Sequence, residues 1–320
     1  MKRSLVSLAL LAALMLPASA QEWPKPTTTI VVGLGPGSGL DLIARIFAKG
    51  MQKRLGTTFV VENKPGAGGN LAVATVARAA PDGSTMVLGH SGNVLINPMM
   101  MDVGCDPMQC LAPVSILATT PSIFVANKKL GVKSLGELVQ LLKSHPGKYT
   151  YGTLGPGSSS DLAYEVIASE TGAKVVRVPY RSTPEMVRAV TAGEVDFTMP
   201  VLAAAESSVK ADMLVPLAIS SAKRWPSLPG VPTTGEAGFP SIPIDVWNGL
   251  LVPADTPKEV IAKIVAAIQT VAKDPEAQAQ IRRLSYRPEG STSEAFAKQL
   301  HTEKILLSGI MKSAGLVRNQ

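Results

Sequence analysis

The 320-residue chain carries 31 Lys and Arg against 24 Asp and Glu, a formal charge of +7, with 4% aromatic residues and two cysteines. That length exceeds one ordinary small core and suffices for two. The basic residues form no cluster and have little aromatic interleaving, which excludes a nucleic-acid footprint.

Lys2 and Arg3 precede an apolar run from Leu5 to Leu16, and Ala18-Ser19-Ala20 supplies the small residues cut by a signal peptidase. The pattern predicts a signal peptide over 1–20, cleaved after Ala20, and export to the periplasm. No cysteine stands at the cleavage point, so no lipid anchor is expected, and no later stretch approaches twenty uninterrupted apolar residues. Loss of Lys2 and Arg3 lowers the charge from +7 to +5, a mild balance that suits an anionic small molecule.

Residues 27–33, 58–63 and 84–90 read as strands, with helical patterns over 42–55 and 71–80 between them. Strands alternating with helices predict an α/β fold whose sheet binds ligands at the carboxyl ends of its strands. Three turns fall on that edge. The first is Gly35-Pro36-Gly37-Ser38-Gly39-Leu40-Asp41. The second, Pro65-Gly66-Ala67-Gly68-Gly69-Asn70, places Gly66, Ala67 and Gly68 there, and the third contributes Ser91. A tight turn alone explains the second equally well.

Cys105 and Cys110 sit close together in a chain expected to leave the reducing cytoplasm, so a local disulfide is the structural reading. The alternative is a soft-metal site with Met99, Met100, Met101 and His90, against which the absence of metal-type spacing argues. An extended segment from Val114 to Asn127 is too long for one ordinary strand and fits one that leaves a first domain for a second.

The strand, turn and helix order then repeats. A capped helix opens at Ser134; Tyr149 to Thr153 reads as a strand; and Gly155-Pro156-Gly157-Ser158-Ser159-Ser160-Asp161 restates the first turn 120 positions later. Lys174 to Tyr180, a helix from Thr183 to about Gly193, and Glu194 to Pro200 continue the second unit. Leu214 to Ser220 and Val246 to Val252 are strand-like. Thr256-Pro257 caps an amphipathic helix, and a last helix runs from about Ser293 to Leu307, returning to the first domain. The division is domain 1 over 21–122 with 241–320 and domain 2 over 123–240, joined by two crossovers, each domain a mainly parallel sheet flanked by helices.

Both glycine turns open helices, where unpaired N–H groups and the helix dipole favour a carboxylate or phosphate. Ser38 and Ser158 also fit N-caps, with Asp41 and Asp161 completing capping boxes. Capping does not explain the duplication. Signs of catalysis are missing: there is no Gly-x-Ser-x-Gly, no phosphate-loop Gly-Lys-Ser/Thr, no Gly-x-Gly-x-x-Gly and no His-Glu-x-x-His. Binding between two lobes, without catalytic residues, cofactor or metal, is the better account, and hinge closure would report occupancy to a membrane partner.

Several segments resemble, in one order, the periplasmic receptors of tripartite tricarboxylate transporters, the Bug family. They are residues 61–70 (VENKPGAGGN), 80–85 (APDGST), 178–181 (VPYR), 192–196 (AGEVD), 228–233 (LPGVPT), 236–238 (EAG), Trp247 and 252–257 (VPADTP). The resemblance covers the chain beyond the leader. It implies a two-domain Venus-flytrap fold, a monomer without catalysis that presents a small carboxylated solute to membrane permease subunits. It implies ligand contacts from Gly37, Ser38, Gly39 and Asp41 on one wall and Gly157, Ser158, Ser159 and Ser160 on the other.

Departures from the family pattern narrow the expectation. Leu34 stands where the family usually has an aromatic, Leu40 where it has Thr, Asp161 where His is common, and Ser182 where Gly is common. Asp161 would repel a dianion unless turned into its cap. A monocarboxylate, an amino acid whose ammonium meets Asp41, or a related amide stays open. Arg181 either reaches a ligand carboxylate or pairs with Glu185. An exported hydrolase of a small ester or amide fits less well, whereas a receptor feeding a sensor kinase is not separable by sequence from one feeding a permease.

Overall fold

The computed structural model describes residues 23–155, 158–239 and 245–313. The leader expected over 1–20, and Gly157, lie outside the described residues.

β1 (Thr27–Val32) sends Ile30 and Val32 into one apolar cluster and Val31 into another, the period of two expected of a strand buried on both faces. β2 (Thr58–Asn63) and β3 (Thr85–His90) flank it, both parallel. The crossovers are α1 (Gly39–Leu55) and α2 (Asn70–Ala77). Ile43, Phe47 and Met51 lie on one stripe of α1 and are buried. The helix stops at Gly56, whose φ of 68° is the left-handed cap conformation.

Beyond β3 the chain winds as a π-helical turn over Gly92–Ile96, then forms the short helices α3 (Asn97–Met100) and α4 (Pro107–Cys110). β4 (Leu111–Pro121) and β5 (Ile123–Ala126) form one extended run parted at Ser122, whose N–H donates to Ser220 Oγ at 2.9 Å. β4 belongs to a six-stranded sheet and β5 to a five-stranded one. The second sheet is completed by β6 (Thr150–Thr153), β7 (Val176–Pro179), β8 (Phe197–Thr198) and β9 (Val215–Ile219), in the order β7-β6-β8-β5-β9. Its helices are α5 (Leu135–Ser144), α6 (Ser159–Thr171), α7 (Thr183–Ala192) and α8 (Leu202–Lys210).

The chain re-enters the first sheet as β10 (Asp245–Pro253), followed by α9 (Lys258–Ala272), α10 (Pro275–Arg283), β11 (Arg287–Pro288) and α11 (Ser293–Ser313), giving the order β11-β4-β10-β3-β1-β2. β10 is antiparallel to β3 and β4, and β5 is antiparallel to β8 and β9. The strands that carry the glycine turns are parallel to their neighbours, as βαβ crossovers require. β5 and β10, the strands by which the chain enters each sheet from the other, run the opposite way, so each sheet is mixed. Thr256 does not cap α9 as expected: its hydroxyl donates to Pro253 O at 2.7 Å, and the helix opens without a side-chain cap.

Ile264, Ile268, Val271 and Ile281, from α9 and α10, share the α1 face of the first sheet. On the opposite face Phe296 and Leu300 of α11 meet Val73 and Val76 of α2. The same cluster continues through Leu307 and Met311 to Leu138, Leu142, Ile167, Phe124, Tyr151 and Phe197 of the second unit. α11 therefore seals core from both sheets. The last face of the second sheet buries Ile123 and Val125 under α7 and α8.

Candidate functional site

At the end of β1 the chain turns at Gly35 and enters α1. Ser38 is extended, and its Oγ accepts the Asp41 N–H at 3.3 Å, the cap the sequence predicts. Asp41 is 1% exposed. Its Oδ2 accepts from the Gly37 N–H at 2.9 Å and Arg45 Nε at 3.0 Å, and its Oδ1 takes Asn63 Nδ2 at 3.0 Å and Arg45 Nη2 at 2.9 Å. Four donors fill the sites a carboxylate offers, so Asp41 has none left for a ligand ammonium and acts as a strut within the turn. Burial pushes its carboxyl upward, but the hydrogen bonds from Arg45, Gly37 and Asn63 more than offset this and hold it below the usual carboxylate range. Asn63, from the end of the neighbouring strand, also donates to Leu34 O at 2.9 Å.

The second turn repeats this construction on the other sheet. Ser158 Oγ accepts the Asp161 N–H at 3.1 Å and donates to Gly155 O at 2.7 Å. Asp161, also 1% exposed, pairs through Oδ1 with Arg177 of β7 at 3.2 Å, and Arg177 in turn holds Glu165 at 2.5 Å. A strand-borne side chain from the adjacent parallel strand thus anchors the loop carboxylate in both copies, Asn63 in one and Arg177 in the other. The Arg177 guanidinium offsets the repulsion that a second loop carboxylate would exert on an anion. Asp161 Oδ2 has no partner among the described residues. Thr153, Ser158 and Ser160 form a hydroxyl cluster with separations of 3.0, 3.4 and 3.5 Å, and Ser160 Oγ accepts the Leu154 N–H at 3.2 Å. Among the described residues, no acceptor takes the N–H groups of Gly39 and Leu40 or those of Ser159 and Ser160.

Gly66, Ala67, Gly68 and Gly69 all have positive φ, at 140°, 48°, 63° and 93°. This run of positive-φ backbone, which glycine adopts freely and Ala67 adopts at a cost in strain, folds the turn onto the first one: a Cβ on Gly33 would stand 2.6 Å from Gly69 Cα. Asn70 Nδ2 donates to Asn93 O at 3.2 Å, Asn97 Nδ2 to Asn70 Oδ1 at 2.5 Å, and the His90 N–H to Asn93 Oδ1 at 2.9 Å. Ser91, buried, begins the helical turn after β3 and carries no side-chain cap. The three turns that the sequence places on one edge therefore meet there through Gly33, Gly69 and the asparagine network.

Arg181 follows β7. Its N–H donates to Glu185 Oε2 at 3.2 Å, and its exposed guanidinium makes no ion pair among the described residues. Cys105 and Cys110 are joined by a disulfide. Among the described residues no cluster of His, Cys, Asp and Glu side chains is placed to hold a metal ion. Met99 and Met101 line a crevice of about 600 Å³ with Lys304, Lys312, Asp102 and Asp106, where Lys304 pairs with Asp106 at 3.1 Å. His90 is not brought to them, since its strand neighbours Met86 and Leu88 face the α1 side.

Reading the sequence missed the residues under the first turn. His90 and Asn248 oppose each other across the β3–β10 ladder. His90 Nδ1 accepts the Gly92 N–H at 3.1 Å, which makes Nε2 the protonated nitrogen; His90 Nε2 has no partner among the described residues, while Asn248 lies beside the Tyr286 hydroxyl. Tyr286 lies against the start of α1, its hydroxyl 2.4 Å from where a Cβ on Gly39 would stand. An asparagine between Trp247 and Gly249 in an apolar strand was the one available signal.

Two sheets, each with a capped helix N-terminus that carries small hydroxyls and N–H groups taken by no acceptor among the described residues, define a two-domain binding protein of the Venus-flytrap class. Residues 43–313 match the tripartite tricarboxylate transporter family receptor, and the chain belongs to that family. A structure of Rpa4515 from R. palustris with adipate is 29% identical, covers 92% of this chain and 99% of its own, and superposes with a TM-score of 0.81. MatC (Rpa3494) from Rhodopseudomonas palustris with bound malate is 28% identical over 89% of this chain and 98% of its own, TM-score 0.77. The periplasmic binding protein BugD is 27% identical over 93% of this chain and all of its own, TM-score 0.80.

Proposed function

We propose that this chain is a periplasmic receptor that binds a small carboxylate between its two lobes and delivers it to the membrane subunits of a tripartite tricarboxylate-type transporter, without catalysing a reaction. The observation that carries this reading is the duplicated turn: one strand-to-helix junction on each sheet, each with N–H groups at a helix start that no acceptor takes among the described residues. Gly37, Ser38 and Gly39 on one side, and Gly157, Ser158, Ser159 and Ser160 on the other, hold the carboxylate, with Gly66, Ala67, Gly68 and Ser91 shaping the first wall. Asp41 and Asp161 act through the turns they brace. Arg181, at the carboxyl edge of the second sheet and unpaired among the described residues, adds a guanidinium suited to a second carboxylate. The relatives holding adipate and malate favour a dicarboxylate.

A thermal-shift screen tests the reading. A true ligand at 100 times its Kd raises stability by about 2.7 kcal/mol, so adipate, malate or a related acid is expected to raise the melting temperature by several degrees. No shift from a broad panel of carboxylates, amino acids and amides would overturn it.

A further inference from the structure

Leu34 and Leu154 each stand one residue before the opening glycine of a turn, and each is 38% exposed. A single exposed leucine needs no explanation. A matched pair, at equivalent positions on two different sheets and beside the free N–H groups, does. Leu71, in the first turn of α2 just beyond the second glycine turn, is exposed as well at 49%. The other exposed large hydrophobics among the described residues, such as Val60, Met213 and Ile305, stand at no glycine turn.

Both leucines are held in place through their backbones. Leu34 O accepts Asn63 Nδ2 at 2.9 Å, and the Leu154 N–H donates to Ser160 Oγ at 3.2 Å. Beside them the turns are open, since a Cβ on Gly35, Gly37 or Gly155 would meet nothing within 4 Å. The nearby guanidinium groups of Arg45 and Arg177 are committed to Asp41 and Asp161. Neutral N–H and hydroxyl donors therefore alternate with apolar surface along both walls. Such walls match a solute with a polar end and a bare hydrocarbon body.

We infer that Leu34 and Leu154 grip the hydrocarbon body of the ligand, so that the chain selects carboxylates with an unsubstituted alkyl or aryl body over hydroxylated or tribasic acids. This rests on the receptor reading above. Isothermal titration with straight-chain dicarboxylates from succinate to suberate, and with malate and citrate, tests it. Affinity is expected to rise about fourfold per added methylene until the space is filled, with an increasingly negative heat-capacity change. In Leu34→Ser/Leu154→Ser both trends flatten.

The inference is overturned by a wild-type series without length dependence, by malate or citrate binding as tightly as the longest acids, or by a length dependence that survives in the double variant. In those cases the receptor reading stands, whereas no binding by any carboxylate removes both. Should the double variant melt early, the single variants and the wild-type series still decide.

Discussion

His90 ties stability to pH through one buried imidazole. Burial lowers its pKa from 6.5 to about 4, so the unfolded chain binds the proton more tightly than the folded one between those values. Its contribution is complete above about pH 6.5 and is lost as pH falls toward 4, at most about 3 kcal/mol. Asp41, whose carboxyl is depressed, contributes in a separate window: its share is present above the ordinary carboxylate pKa and disappears only as pH falls through the lowered folded value. In His90→Gln, whose side chain does not titrate, the melting temperature is therefore expected to fall less steeply than wild type from pH 7 to 4.5. Parallel melting curves across that range would contradict the burial argument.

At the scale of elements, the close approach of Gly33 to Gly69 fixes two turns against each other. The atoms a Gly33 Cβ would strike are backbone, Gly69 Cα at 2.6 Å and Gly69 O at 2.9 Å, and cannot rotate away. Gly33→Ala is expected to cost about 1–3 kcal/mol and to weaken carboxylate binding. Gly35→Ala, with nothing within 4 Å of the new methyl, is expected to stay within about 0.5 kcal/mol of wild type. Urea unfolding of the two variants compares them, and equal midpoints would contradict the packing.

Much of this level was legible in the chain. The serine N-caps at Ser38, Ser134 and Ser158 form as read, because a cap is written within four consecutive residues. The boxes do not close: Asp41 and Glu137 accept instead the N–H of the residue before the cap, Gly37 and Lys133, and the Ser38 and Ser158 N–H groups go to Gly35 O and Gly155 O. Strand direction is written nowhere locally, which is why the antiparallel entry of β5 and β10 became visible only in the fold. α8 and α10 also escaped, as helices of only nine residues each with few apolar side chains to mark them: α10 buries only Ala277 and Ile281. Within the site, the glycines and serines announced themselves, whereas Asn63 reaches Asp41 from 22 positions away and Tyr286 reaches Gly39 from the far end of the chain.

Across the whole molecule, β4–β5 and the return into β10 join the sheets, and α11 packs core from both. Two side-chain contacts add to these: Ser285 Oγ donates to Glu206 of α8, and the Arg287 guanidinium lies 6.0 Å from the Trp225 ring centroid. A solute touching both glycine turns would bias that linkage toward closure only through contacts it makes on both sides.

Residue-resolved hydrogen exchange with and without saturating adipate measures those contacts directly. The account predicts that the Gly39 and Leu40 amides and the Ser159 and Ser160 amides slow together when ligand binds. Slowing confined to one turn, or to neither while adipate is demonstrably bound, would contradict it.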